Sequence, residues 1–578
     1  MKSFYSLFPV GLLALLLLAS CLPVAAQAPA WQSAQAVAVA SGAATNPYSV
    51  VTATAVDAAG NVFLAGQFTN TVALGGTTLT SLGSYDVFVA KFNPASNQFV
   101  WAQRAGGTGT DYVRALAVSG ASLYVAGAFA SATAGFGPTT LTNASASSSG
   151  DVFVAKLTDA GPTGSFAWAQ RAGSTGDDIA YALALSGTSI YVAGAFAGAT
   201  ASFGPTTLTN AGPSNSSDVF LAKLIDAGAT SSFAWAQRAG GTDIDYANAL
   251  AISGNNVYLA GTFAGATAGF GSITLTNAGA GAGTPDVFVA KLTDAGPTSS
   301  FAWAQRAGGT DYDVINALAV SGTSVYVAGG FGSSIADFGP ATLASTGFLD
   351  VFVAKITDAG STGSFVWARR AGGTQFDTAY ALAVSGTGVY LTGTFGSPTA
   401  GFGSTTLTNA DATTGFADTF VAKLTDVGST GNFVWAQRAG GMGSDVATTM
   451  AVSGSSVYAA GYLDSPTASF GPAIITKPTA NSFLGFLASL TDPTLTATTA
   501  AGPREPAALF PNPARHAATL RLPVGTAPAP LTLSDALGRA VRRYPAPTGP
   551  EAVLDLRGLP AGLYLLHGAG SAQRLAVE

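Results

Sequence analysis

The chain has 578 residues, of which 48% are hydrophobic and only 9% are charged, and its formal net charge is −6. So few charges exclude a charge-laced helical bundle, and so many apolar residues exclude a disordered chain. The acidic balance argues against nucleic-acid binding, and the single Cys excludes an intrachain disulfide framework.

Residues 1–26 are predicted to be a secretory signal peptide. An apolar run from Val10 to Leu18 is followed by small residues, and it is too short to remain as a membrane-spanning helix. Cleavage after Ala26 fits the small residues of Val24-Ala25-Ala26. The alternative is a lipoprotein box ending at Cys21, which would then be acylated. We expect no transmembrane span in the mature protein.

Residues 30–494 contain one unit repeated seven times, marked by Trp residues 64 to 70 positions apart. Each unit has four β-type runs, which we name a, b, c and d. Sheet-forming examples are Ala317–Val320 for run a, Val325–Gly329 for run b and Asp286–Leu292 for run c, while run d begins near the Trp. Four strands per repeat and seven repeats predict an all-β fold, a seven-bladed β-propeller.

The order of the runs predicts how the two ends of the repeat region meet. The region opens with a d run at Trp31 and closes with only a, b and c, the last ending near Leu490. We therefore expect the Trp31 strand to complete the final blade and close the ring, which protects the sheet edges.

The repeated text Ala-Leu-Ala-Val-Ser-Gly, Val-Tyr-Val-Ala-Gly and Asp-Val-Phe-Val-Ala-Lys-Leu resembles the bacterial seven-bladed β-propeller repeat family, called SBBP repeats. The resemblance covers Trp31 to about Leu490. It implies a secreted or surface protein with a binding role, and it brings no catalytic residues.

A Pro-rich linker at 495–508 is followed by a small β-sandwich at 509–578, since alternating apolar runs are separated by Gly turns. Three motifs of this region resemble, in order, the type A sorting domain of the type IX secretion system. That resemblance implies transport by the type IX secretion machinery across the outer membrane to the cell surface or the medium. The motif residues are Phe510, Pro511, Asn512 and Pro513, then Asp535, Gly538 and Arg539, then Gly562 and Tyr564.

Six copies of the repeat carry an Asp just before run a, where the first copy has Ser49. A near-ring of carboxylates around a central channel is a candidate Ca²⁺ site, and no other cofactor is expected. The alternative is that each Asp accepts backbone N–H bonds within its own turn. The six residues are Asp111, Asp178, Asp245, Asp313, Asp377 and Asp445.

Lys residues recur on run c and Arg residues on run d. They either line a groove that binds acidic sugars, or they are solvated or ion-paired residues of the outer strands. The seven Trp are expected to pack between blades rather than to stack on sugars. Before residue 502 there is no His and no Glu, which excludes a Ser-His-Asp triad and a His metal site there.

The leading function is therefore an exported surface or extracellular protein that binds a glycan or protein ligand on its loop face. The alternatives are a secreted lyase or hydrolase with an Asp-based site at that face, or a structural adhesive component. The near-identity of the copies singles out no asymmetric catalytic cluster.

Overall fold

The computed structural model describes residues 29–40, 47–145, 149–213, 216–279, 283–478, 482–495, 508–521, 530–535, 539–547, 549, 551–567 and 573–578. The predicted signal peptide with Ala26 and Cys21, most of the predicted linker, and Gly538 lie outside these residues. The chain divides into two compact units, residues 1–497 and 498–578. The described residues of both units form strands and no helix.

In the described part of the first unit, strands a, b, c and d form seven antiparallel sheets, and within sheets 1 to 6 they follow one another along the chain. A hairpin extends sheets 1 and 6 to six strands. Sheet 1 contains Ser49–Val56, Val62–Phe68, Asp86–Asn93 and Gln98–Gly107. Sheet 2 contains Asp111–Ser119, Ser122–Phe129, Asp151–Asp159 and Gly164–Ala172. Sheet 3 contains Asp178–Ser186, Ser189–Phe196, Asp218–Asp226 and Ser231–Ala239.

Sheets 4 to 6 repeat this arrangement. Sheet 4 contains Asp245–Ser253, Asn256–Phe263, Asp286–Asp294 and Ser299–Ala307. Sheet 5 contains Asp313–Ser321, Ser324–Phe331, Asp350–Asp358 and Gly363–Ala371. Sheet 6 contains Asp377–Ser385, Gly388–Phe395, Asp418–Asp426 and Gly431–Gly441.

Sheet 7 combines the two ends of the repeat region. Its strands are Asp445–Ser453, Ser456–Leu463, Leu484–Thr491 and, at the edge, Trp31–Val37. Trp31 lies opposite Leu490 in the antiparallel pairing. The d strand of this sheet therefore comes from the start of the repeat region, as the order of the runs predicts.

A short hairpin, absent from the sequence prediction, lies between strands b and c of each sheet. Its Phe-Gly turn uses a Gly with positive φ, such as Gly204 at +59°. The hairpins are Thr71–Leu74 with Thr77–Thr80, Thr133–Phe136 with Thr139–Thr142, Thr200–Phe203 with Thr206–Thr209, Thr267–Phe270 with Ile273–Thr276, Ala336–Phe338 with Ala341–Leu343, Thr399–Phe402 with Thr405–Thr408, and Thr467–Phe470 with Ala473–Thr476.

Each hairpin joins two sheets because it also pairs with the chain at the end of the preceding strand d. Ala134 pairs with Gly107, and Gly269 forms a bridge with Gly240. The two-residue strand Val39–Ala40, which follows the Trp31 strand, pairs in the same way with the hairpin of sheet 1. The hairpins thus extend backbone pairing from one sheet to the next.

The core of the first unit lies between the sheets. Among the described residues, seven hydrophobic clusters each join one sheet to the next, and one of them joins sheet 7 to sheet 1. The predicted packing of the Trp residues between sheets is confirmed, since all seven are buried. Repeated antiparallel sheets that pack face to face fit a β-propeller, and the predicted all-β class is confirmed.

At most of these sheet junctions, an Asp at the end of strand c accepts hydrogen bonds from side chains of the preceding sheet. Asp226 of sheet 3 accepts hydrogen bonds from three side chains of sheet 2: Lys156 Nζ at 2.6 Å, Tyr124 Oη at 2.7 Å and Trp168 Nε1 at 3.2 Å. Six such ion pairs have Nζ–Oδ2 distances of 2.5–2.7 Å. They are Lys91–Asp159, Lys156–Asp226, Lys223–Asp294, Lys291–Asp358, Lys355–Asp426 and Lys423–Asp492.

The junction between sheets 7 and 1 lacks this ion pair. Ser489 stands where the other copies have Lys, and Pro94 stands where they have Asp. A cavity of about 400 Å³ opens there, lined by both residues and by Tyr458. Ser489 Oγ lies 2.7 Å from Ser33 Oγ, so a neutral hydroxyl pair occupies part of the space of the ion pair.

The second unit has two antiparallel sheets that share one core. The first contains Ala508–Phe510, Ala517–Arg521 and Glu551–Asp555, and the second contains Leu531–Ser534, Ala540–Tyr544, Gly562–His567 and Gln573–Val577. Leu520, Leu533, Leu566 and Leu575 are all fully buried in that core. This arrangement matches the small β-sandwich predicted from the alternating apolar pattern.

At the junction between sheets 7 and 1, introducing the Lys–Asp ion pair of the other junctions tests how that pair affects the stability of the protein. Ser489→Lys alone puts an unpaired ammonium into a half-buried site and should lower the melting temperature. Adding Pro94→Asp supplies its partner and should recover the loss. A double-mutant cycle by thermal and urea unfolding should give a coupling energy of about 1–3 kcal/mol. Additive effects of the two substitutions would show that the two side chains do not meet.

Candidate functional site

Two rows of buried Asp hold the loops at one end of the sheets, where the b–c and d–a connections lie. We call this end the loop face. In the first row, the Asp that begins strand c accepts a backbone N–H from the b–c loop and a guanidinium N–H from strand d. Asp286 Oδ2 lies 2.7 Å from Ala278 N and 2.8 Å from Arg306 Nη1. These bonds fix each b–c loop to its own sheet.

The second row consists of the six Asp residues that the sequence marks as a candidate metal site. Each begins a strand a and accepts a backbone hydrogen bond from its own d–a turn, and most also accept one from a Ser hydroxyl, which in all but one case lies in the b–c connection of the same sheet. Asp313 Oδ2 accepts bonds from Gly309 N at 2.7 Å and Ser333 Oγ at 2.8 Å. In sheet 1, Ser49 takes the same place and its Oγ donates to Val37 O.

A Gly with positive φ lies between the carboxylates of the two rows. Gly240 has a φ of +127°, and a Cβ there would lie 2.6 Å from both Asp218 Oδ1 and Asp245 Oδ2. Burial, with a further contribution from the neighbouring carboxylate, raises the pKa of Asp245 to about 7. The same causes raise the pKa of Asp178 to about 7 and of Asp313 and Asp445 to about 6.

The structure places the six carboxylates in separate turns. Within the described ranges, no group of three or more His, Cys, Asp or Glu side chains is arranged to hold a metal ion. All six are at most 1% exposed, so solvent and substrate do not reach them. Their geometry is that of the alternative expectation, in which each Asp accepts the hydrogen bonds of its own turn.

The recurrent cations also serve the fold. The Lys residues of strand c form the ion pairs between sheets, and the Arg residues of strand d pair with the Asp that begins strand c. The N–O distances of the Arg pairs are 2.6–2.9 Å. Both sets are therefore ion-paired with carboxylates, as in the second of the two expectations.

The loop face carries a set of tyrosines that the sequence reasoning missed. The set includes one from each sheet, and sheet 1 has a second, Tyr85, whose ring centroid lies 5.0 Å from that of Tyr48. Tyr181 and Tyr246 have ring centroids 6.1 Å apart. The members of this set, which we call the tyrosine set, are Tyr48, Tyr112, Tyr181, Tyr246, Tyr312, Tyr380 and Tyr462.

The tyrosine set occupies different repeat positions in different sheets, so aligning the copies does not bring it out. Tyr312 precedes strand a, Tyr246 is its second residue and Tyr380 its fourth. A count of Tyr per repeat beyond the Val-Tyr-Val of strand b would have been the available signal. Burial raises the pKa of Tyr181, Tyr312 and Tyr462 to about 12, so these phenols remain protonated hydrogen-bond donors.

Two exposed aromatic rings stack beside this set. The rings of Phe348 and Phe376 have centroids 5.2 Å apart and planes 12° apart, and both residues are 63% exposed. Their backbones are held by the pairing of Leu349 with Phe376 and by the bond from Asp377 N to Leu349 O at 2.8 Å. Two large apolar rings are thus presented to solvent on a fixed backbone.

A cavity of about 290 Å³ lies along the a strands of the sheets. Each of the seven a strands contributes to its lining, which includes Thr52, Arg114, Asn316, Tyr380 and Thr448. Several polar side chains at this level connect one a strand to the next. Thr448 Oγ1 donates to Val51 O at 2.6 Å, and Asn316 Nδ2 donates to Ala379 O at 2.9 Å.

In the second unit, the residues of the sorting motifs make local bonds. Asn512 Nδ2 donates to Arg574 O at 2.8 Å, Asp535 pairs with Arg539 at 2.7 Å, and Tyr564 Oη donates to Pro560 O at 2.7 Å. Phe510 lies beside the Arg521 guanidinium, 5.2 Å from its ring centroid. Pro511 and Pro513 flank Asn512, and Gly562 begins the strand that carries Tyr564.

No protein-family model matches the chain, and no curated protein matches it significantly. Among solved structures, one match is a "putative 6-phosphogluconolactonase" from Bacteroides fragilis. It is 10% identical, with a TM-score of 0.28, and the match covers 66% of this chain and 96% of the other. Because this similarity is so low, the fold is defined by the strands of this chain and their pairing. The described residues include no helix long and apolar enough to cross a membrane.

The raised pKa of the second Asp row predicts how stability depends on pH. Their pKa in the unfolded chain is near 3.9, so the folded state binds more protons than the unfolded chain between about pH 4 and 7. Their contribution is full below pH 4 and is lost as the pH rises through about 7. We expect melting temperatures to fall from pH 5 to pH 8, and Asp245→Asn to reduce that fall.

The ion-paired Asp residues supply a matched control with the opposite sign. Burial opposes ionisation of Asp226, but bonds from Lys156, Tyr124, Gly228 and Trp168 outweigh it and lower its pKa. Its contribution is present above about pH 4 and is lost below. Asp226→Asn should therefore destabilise the protein at pH 8, where Asp245→Asn should not. An unchanged pH dependence in the Asp245 variant would contradict the assignment.

Proposed function

We propose that this protein is an exported binding protein whose loop face recognises a glycan. The single observation that carries the proposal is the pair of stacked, exposed rings of Phe348 and Phe376. Exposed apolar groups of this size mark interaction sites on soluble proteins. Aromatic faces complement the C–H faces of sugar rings, and phenols of the tyrosine set on the same loop face add hydrogen-bond donors for hydroxyl groups.

We further propose that the seven sheets are the blades of a closed β-propeller. Three contacts between sheets 7 and 1 support closure: the pairing of Val39–Ala40 with Thr71–Leu74, the bond from Thr448 to Val51, and their shared hydrophobic cluster. Closure leaves only short, protected sheet edges and holds the loops in fixed positions. A fixed loop face suits binding, because little conformational entropy is lost when a ligand docks.

Export through the type IX secretion machinery is the proposed route to the surface. Three ordered motifs and a small β-sandwich in the second unit support this route, together with the signal-peptide pattern of residues 1–26. Asp535 and Arg539 close one turn through both backbone and side chain, since Arg539 N donates to Asp535 Oδ1 at 3.0 Å. The sandwich would then act as an address rather than as part of the binding site.

The binding proposal predicts the effect of removing the stacked rings. Phe348→Ser with Phe376→Ser should lower glycan affinity about fivefold or more, since an aromatic contact contributes about 0.5–1.5 kcal/mol per ring beyond area burial. A glycan array identifies the ligand for the unmodified protein, and titration calorimetry then compares the variants.

Val427→Ser is the matched control, because Val427 is 59% exposed and lies in a c–d turn, away from the loop face. It should bind as the unmodified protein does. Equal affinity of the Phe348/Phe376 variant would reject the loop face as the glycan site, and binding to no glycan on the array would favour a protein ligand instead.

The export proposal predicts that the second unit is needed for passage across the outer membrane and not for folding of the first. In a bacterium that has the type IX machinery, the chain truncated after residue 497 should accumulate in the periplasm, folded and protease-resistant. The full chain should reach the surface or the medium. Cell fractionation with immunoblotting distinguishes the two, and efficient surface delivery of the truncated chain would contradict the route.

A further inference from the structure

One cation of the first unit stands apart from the others. Every Lys in the described part of this unit forms an ion pair, and six of its Arg residues pair with the Asp that begins strand c. Arg369 donates to Gly431 O at 2.7 Å. Arg114 is exposed and, among the described residues, forms no salt bridge. A guanidinium always carries its charge, so Arg114, like Arg369, presents a charge without an ion-pair partner among the described residues, but only Arg114 is exposed.

The surroundings of Arg114 make this charge available to a ligand. It lines the 290 Å³ cavity along the a strands, and no residue of that lining is Asp or Glu. Its guanidinium carbon lies 5.0 Å from the ring centroid of Tyr112. The nearby Asp177 carboxylate accepts a hydrogen bond from Gly150 N at 2.9 Å instead of pairing with Arg114. The only formal charge in the cavity lining is therefore positive.

Arg114 also breaks the symmetry of the repeat. At the fourth position of strand a, the other six sheets have Thr52, Tyr181, Asn248, Asn316, Tyr380 and Thr448. Four of these neutral side chains bond to the backbone of the next a strand, as Asn248 does to Ile315 O at 2.8 Å. Arg114 makes no such bond, although it has five N–H donors. Arg114 lines the cavity along the a strands instead.

We propose that Arg114 binds the carboxylate of an acidic sugar residue and thereby selects anionic glycans. This inference rests on the proposed glycan-binding function and adds the charge of the ligand to it. Arg matches a carboxylate through two parallel N–H donors, and the ring centroid of Tyr112 lies 5.0 Å from the Arg114 guanidinium carbon. The neutral lining of the rest of the cavity suits the uncharged hydroxyl groups of the sugar.

The test compares two oligosaccharides that differ only in charge. Titration calorimetry measures the affinity of the full-length protein for tetragalacturonate and for the same tetramer with every carboxyl methyl-esterified. We expect the acid to bind at least tenfold more tightly at 50 mM salt, because hydrogen bonds to a charged group contribute roughly 1.5–3 kcal/mol. Its affinity should fall as salt is added, whereas that of the ester should not.

Substitutions assign the preference to one side chain. Arg114→Gln should remove the preference for the acid while leaving the affinity for the ester, and Arg114→Lys should keep part of the preference. Arg369→Gln removes the same charge from strand d of sheet 5 and should leave the preference intact. Melting curves establish that each variant is folded.

Each outcome decides a different point. Equal binding of acid and ester, or a preference that survives in Arg114→Gln, overturns the role of Arg114 and leaves glycan binding standing. Binding of neither tetramer, with binding of other neutral glycans on the array, overturns the acidic class alone. Failure to bind any glycan overturns the proposed function itself.

Discussion

The structure of the first unit depends on buried carboxylates that accept hydrogen bonds across the junctions between sheets. Each Asp at the end of strand c receives a Lys from the preceding sheet, and most also receive a Tyr or Trp. Removing one partner of such a pair leaves a buried charge, which costs about 3–5 kcal/mol. The pairs also fix the relative height of neighbouring sheets, since a Trp can reach the Asp only in one register. Although only 9% of the residues of the chain are charged, twelve of them form these six Lys–Asp pairs.

Hydrogen bonds to buried Asp residues also explain why the exposed side chains of the loop face can differ from copy to copy. Two rows of Asp anchor the b–c and d–a loops through backbone N–H groups, so the anchoring does not depend on the side chains that the loops display. Tyr312, Phe348 and Phe376 can therefore change from copy to copy without altering the path of the chain. The copies are alike where they hold the fold and differ where they meet solvent. In such a molecule we expect functional residues at the positions where the copies of the repeat differ.

Sequence reasoning reached the strand order and the d strand that Trp31 contributes, because alternating large and small residues mark strands on their own. It missed the hairpins between strands b and c, since Thr-Leu-Thr and Phe-Gly runs are short and their partners lie in another sheet. It missed the tyrosine set for the same reason: Tyr48, Tyr246 and Tyr380 sit at different repeat positions and come together only in space. Lys156 and Asp226 are 70 residues apart, and no local pattern connects them.

The contrast between the paired cations and Arg114 bears on how an acidic protein can attract an acidic ligand. At physiological salt, charges more than about 8 Å apart are largely screened, so the net charge of −6 acts weakly on a ligand near the loop face. The local field is set by the nearest unpaired groups, and in the cavity along the a strands that group is Arg114. Many other carboxylates of the first unit pair with Lys or Arg, or are buried with a raised pKa, whereas Asp177, Asp243, Asp311 and Asp337 are exposed and lie outside the lining of this cavity. A single free guanidinium can therefore give the site a sign opposite to that of the whole molecule.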